Sequence, residues 1–156
     1  MAFVITGLPV EDFRSMFGLP DAELAARGVV RYPVDAKPGF PCRVTLEDAE
    51  PGETVLLLNF EHQSADTPYR ARHAIFVSET ATEARRAVDE VPGALRVRAC
   101  LSLRAYDQAG MMVDAELTSG EAIEGGIARL FANPQVAYIH AHNAGRGCYA
   151  ARIDRD

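Results

Sequence analysis

Apolar positions in this chain mostly fall in short runs or alternate with polar ones, and helical spacing is confined to a few places. The first apolar run predicts a strand over residues 3–6. Pro9 is placed as the first residue of a helix, with Glu11 and Asp12 in its first turn, Phe13, Met16 and Phe17 on its apolar face and Gly18 to stop it. Pro20 opens a second helix over 21–27, which Gly28 ends. The pair predicts an N-terminal helical hairpin packed on a sheet. From residue 29 strand signals dominate, at 29–34, 43–46, 55–60 and 73–77. Pro51-Gly52 has type II turn chemistry, and the nearly continuous apolar run 55–60 predicts a strand buried on both faces. A polar loop over 61–72 separates it from the next strand.

Thr80 and Glu83 stand at capping-box spacing, which predicts a short helix there. Segments 101–107 and 111–117 read as a hairpin turning through Gln108-Ala109-Gly110, with the glycine at the left-handed bulge position. Matching apolar residues across it sets Leu101 against Leu117 and Arg104 against Asp114. A second capping box, Thr118 and Glu121, precedes Ile123, Ile127, Leu130 and Phe131, the stripe of one long amphipathic helix. Strands over 136–142 and 148–153 close the chain. Helices lie between hairpin-linked strands without regular alternation, so the expected class is α+β, a single domain over 1–156 with a largely antiparallel sheet.

Composition narrows the function. The 156 residues are enough for one self-sufficient core. With 16 Lys and Arg against 22 Asp and Glu, the net charge of −6 argues against nucleic acid and anionic membranes as partners. No apolar run approaches the length of a membrane helix, and no signal-like segment opens the chain. Cys42, Cys100 and Cys148 are odd in number and widely spaced, so the expectation is three reduced thiols in a cytoplasm.

The candidate chemistry gathers on two segments. His62 and His73 bracket the polar loop, and His140 and His142 share one face of a strand. Pairing His142 with Cys148 puts Arg152 opposite Tyr138; a one-residue change brings Tyr149 opposite His142 and turns Cys148 away. Side-by-side imidazoles suit a divalent metal or acid–base work, and the metal candidates are His140, His142 and His62. Histidine-triad phosphoester hydrolases need a third alternating histidine, but position 144 is Ala. In the loop, Tyr69 and Arg70 are candidates to clamp a small anion together with His62, His73, His140, His142 and Asn143. Cys148 joins His140 and His142 as a candidate catalytic residue, a minimal nucleophile–base set.

Several segments together resemble a bacterial family catalogued as domain of unknown function 1203: Lys37-Pro38-Gly39-Phe40-Pro41-Cys42-Arg43, Leu57-Leu58-Asn59-Phe60-Glu61-His62 with Pro68-Tyr69-Arg70, His73-Ala74-Ile75-Phe76, and Tyr138-Ile139-His140-Ala141-His142-Asn143 with Gly147-Cys148-Tyr149-Ala150. The resemblance spans essentially the whole chain and implies no activity, substrate or cofactor. The expected function is binding of a small anionic molecule, or binding and action on it, at a His/Arg/Tyr-lined pocket. The alternatives are a histidine-based metal site and a non-catalytic protein-interaction module with structural histidines.

Overall fold

The computed structural model describes residues 2–156. Six strands form one sheet in the order β5-β1-β9-β8-β6-β7, where β1 is Phe3–Thr6, β5 Arg86–Val88, β6 Leu101–Tyr106, β7 Met112–Thr118, β8 Tyr138–Asn143 and β9 Tyr149–Arg155. A second sheet has three strands in the order β2-β3-β4, with β2 Val30–Pro33, β3 Thr54–Gln63 and β4 Ala71–Ser78. Every pairing between these strands is antiparallel, and the class is α+β.

Alternation along the strands gives the large sheet two different faces. Leu101, Leu103 and Ala105 of β6 share one face with Ile139, Ala141, Ile5 and Ile153, all essentially inaccessible to solvent. Helix α3 (Ile123–Phe131) covers that face with Ile123, Ile127, Leu130 and Phe131. Burial of each such side chain contributes roughly 1.5–3 kcal/mol. The other face carries Arg104, Tyr106, Tyr138, His140, His142 and Tyr149. The small sheet packs there through Leu56, Leu58, Ile75 and Val77, which form one buried cluster with Tyr149. The polar residues of that second face are thereby enclosed between two sheets.

The helices are shorter than the sequence pattern predicts. No N-terminal helical hairpin forms: residues 10–16 make two 3-10 turns, Val10–Asp12 and Arg14–Met16, before α1 (Asp21–Ala26). Buried Phe13 sits at the break between them, so its packing overrides helix continuation. The helix α3 spans nine residues rather than being long; its N-cap, Ala122, makes no side-chain cap, while Ser119 Oγ accepts from Ala122 N–H in a turn before it. Residues 80–88 form no helix, because β5 is spent pairing with β1. A one-turn helix, α2 (Gly93–Arg96), stands instead where no pattern pointed to one. Residues 43–46 turn rather than extend, with Leu46 at φ 57°.

The β6–β7 hairpin turns at Gln108-Ala109-Gly110 as expected, with Asp107 N–H donating to the Met111 carbonyl and Gly110 at φ 84°. Its register differs. Tyr106 pairs with Met112 but Ala105 with Asp114, so Val113 is a bulge and Arg104 lies on the opposite face from Asp114. The apolar match failed because β7 is an edge strand whose inward positions are acidic. Asp114 and Glu116 reach Arg129 on α3, while Val113 and Leu117 face outward, exposed. All three cysteines are unpaired.

Candidate metal centre

Two bulges aim the histidines. On β3 the register shifts between Glu61 and Gln63, so both His62 and Gln63 turn inward, and Gln63 Nε2–H donates to the Tyr138 hydroxyl. Phe60 pairs with His73, which places His73 beside His62 on the same inner surface. On the facing sheet Ala141 pairs with Ala151 but His142 with Tyr149, so Ala150 is the extra residue. Of the two registers open to the terminal hairpin, His142 opposite Tyr149 is the one adopted, with His140 opposite Arg152. Bulges re-aim side chains and recur next to functional sites for that reason.

All four imidazoles meet between the sheets. The ring of His62 stacks on that of His73, 4.7 Å between centroids, and on Tyr149 at 5.2 Å. The rings of His140 and His142 stand edge-on to it at 5.1 and 4.8 Å. The two sequence segments thus form one cluster, with His62 Nδ1 and His140 Nδ1 only 3.0 Å apart.

Hydrogen bonding sorts the ring nitrogens. His142 Nδ1 lies 2.9 Å from the Gly147 carbonyl, which can only accept, so Nδ1 holds the proton and Nε2 is a bare lone pair. Gly147 presents that carbonyl from a turn in which it adopts φ 78°, a conformation that favours glycine. His62 Nδ1 is engaged with His140, and His62 Nε2, His73 Nδ1 and His142 Nε2 are each buried without any partner. One ligand nitrogen from each of His62, His73 and His142 lies within 4.8 Å of the other two. Each of these three rings thus buries a nitrogen without a partner, and each such group forfeits about 1–3 kcal/mol. A tetrahedral ion about 2.1 Å from each nitrogen needs edges near 3.4 Å, so capture would draw the widest pair together by at most about 1.5 Å.

Electrostatics keep the imidazoles neutral, the form that ligates metal. Burial pushes His62 down to about 4, with His73 and Arg104 adding repulsion. Burial likewise takes His142 to about 3, against the opposing pull of the Gly147 carbonyl. His140 falls to about 2 through burial and its His62 and His142 neighbours, and His73 is lowered by burial and Arg104.

The remaining residues singled out by sequence are distributed differently. His140 stands behind His62 rather than among the three converging nitrogens. Arg70 is exposed and bound to Glu61 at 2.5 Å, so it clamps nothing in the cluster. Tyr69 is exposed on the loop, its ring 6.5 Å from that of Tyr106. Cys148 Sγ accepts from Asn143 Nδ2 and from Arg43, each at 3.4 Å, and Asn143 Oδ1 is buried without a partner. Sequence reasoning gave Tyr149 a place only in one of two registers, and passed over the Gly147 carbonyl and Gln63.

A family comparison matches residues 39–155, the span that includes all of these residues. The chain belongs to the protein family of unknown function DUF1203. No curated protein and no solved structure matches it. The family's matched region begins after β2, so both cluster-bearing sheets fall within it except for β1 and β2. No helix of the described residues is long and apolar enough to cross a membrane.

Proposed function

We propose that this protein works through a divalent transition-metal ion held by His62, His73 and His142. The observation that carries the reading is the convergence of three imidazoles to ligand-binding range, each of which also buries a nitrogen without a partner. Imidazole ligands without thiolate suit zinc, copper, iron or nickel rather than calcium or magnesium. Three protein ligands leave a coordination position open, as in catalytic rather than structural zinc sites. All three are neutral, so the ion would keep its full double charge, polarise a bound water and attract a small anion.

The surrounding contacts support the same reading. Metal-bound imidazoles usually donate their second N–H to an acceptor that fixes their orientation. His142 has the Gly147 carbonyl for this, and His62 has His140 Nδ1, which accepts when the neutral His140 ring carries its proton on Nε2. His140 thus acts as an acceptor behind a ligand, and the small anionic molecule expected from sequence becomes the occupant of the open position.

Calorimetric titration of zinc into tag-free, EDTA-treated protein tests the proposal. One tightly bound ion per chain is expected, with little proton release from the ligands between pH 7 and 6, because the folded imidazoles are already neutral there. Absence of stoichiometric binding would return the histidines to a purely structural role.

A further inference from the structure

A cavity of about 730 Å³ opens beside the cluster, and His73 belongs to both. It lies between the β8–β9 turn, residues 73–76 of β4 and the segment around Arg98 and Cys100. Its size is that of a small-molecule site. Three arginines line it, Arg43, Arg98 and Arg146, and not one Asp or Glu, in a chain whose net charge is −6.

The three arginines are not equivalent. Arg98 is neutralised from behind by Asp48 at 2.7 Å. Arg146 is exposed on the turn and enters no ion pair among the described residues. Arg43 is only 3% exposed, and its guanidinium donates to the Tyr149 and Pro41 carbonyls and to Cys148 Sγ, with no carboxylate in reach. A buried guanidinium without a counter-charge is expensive, and an anion entering the cavity would supply one. Phe40, Phe76 and Leu57 give the lining an apolar part. Asn143, also in the lining, adds a buried carbonyl oxygen that lacks a donor.

We propose that this cavity is the binding site for a small organic anion with a compact apolar body, its charged end facing Arg146 and Arg43 and its body against Phe40 and Phe76. This rests on the metal reading only in that the same ligand would reach the ion's open position past His73. It moves the anion site away from Arg70, which is spent on Glu61.

The test uses benzoate and phenyl phosphate as probes and benzamide as the neutral isostere of benzoate. Each is titrated into zinc-loaded and metal-stripped protein, and into the Arg146→Glu variant. At least one of the two anions should bind both forms, more tightly with zinc present, and at least tenfold more tightly than benzamide. Arg146→Glu, an exposed position that leaves the core intact, should weaken that anion tenfold or more while changing zinc affinity by no more than a few-fold. Equal binding of benzamide, indifference to Arg146→Glu, or no binding of either anion would overturn the proposal. Anion binding with this pattern in protein that takes up no zinc would sustain the cavity and overturn the metal reading instead.

Discussion

Replacing His73 by alanine is expected to abolish stoichiometric zinc binding, weakening the site by at least two orders of magnitude. The same result is expected for His62→Ala and His142→Ala, because each removes one of only three ligands. His140→Ala should behave differently. It removes the acceptor that orients His62, and losses of that kind are typically 10–100-fold, so zinc still binds but more weakly. Stability separates this account from one in which the histidines are structural. In metal-free protein His73 Nδ1 has no partner to lose, so His73→Ala should change unfolding free energy by less than about 1 kcal/mol. A structural core residue would cost about 2–5 kcal/mol on truncation to alanine. Zinc titrations and denaturant unfolding of the four single variants check both halves. Unaltered zinc binding in His73→Ala together with a large loss of stability would contradict the assignment.

Acid should destabilise the metal-free protein well above the usual carboxylate range. Folding lowers His62 to about 4, His142 to about 3 and His140 to about 2, each below an ordinary value near 6.5. Below pH 6.5 the unfolded chain therefore takes up protons that the folded chain refuses. The stability of the neutral cluster is complete above that pH and is lost as the pH falls toward the folded values. Each refused proton contributes a slope of about 1.4 kcal/mol per pH unit, so three give about 4 kcal/mol per unit once fully developed. Denaturant unfolding in EDTA at pH 7, 6 and 5 should show a loss of a few kcal/mol over that range. Bound zinc should raise the curve by a similar amount across that range, since the folded ligands are already unprotonated between pH 7 and 5. Stability that is flat or rising between pH 7 and 5 would show that the imidazoles are protonated in the folded state.

Most strands were legible in the sequence, from alternation at residues 101–107 and from apolar runs at 3–6 and 55–60, although 43–46 turns and the strand at 86–88 went unread. The helices were not, because caps and apolar spacing at Thr80 and around Phe13 were overruled by tertiary partners: β1 recruits 86–88 into the sheet, and Phe13 is drawn into the core between the sheets. Apolar matching misread the β6–β7 register because it assumes that inward residues are apolar. Here the inward acids of β7 meet Arg129, which lies on a helix that strand alternation cannot see. The clustering of four histidines on two segments pointed to one site. Which three converge depended on bulges at His62 and Ala150, and a bulge of one residue leaves no mark in an alternating pattern. His140 and His73 consequently exchanged places as ligand and neighbour. The cavity arginines could not be grouped from sequence, because Arg43, Arg98 and Arg146 are far apart in the chain and share no motif.

X-ray absorption at the zinc edge of the reconstituted protein bears most directly on the central claim. Three imidazole nitrogens near 2.0–2.1 Å, with a light oxygen or nitrogen donor completing the shell and no sulfur, is the expected first shell. A zinc–sulfur distance near 2.3 Å, or a shell with fewer than three imidazoles, would contradict a centre built from His62, His73 and His142.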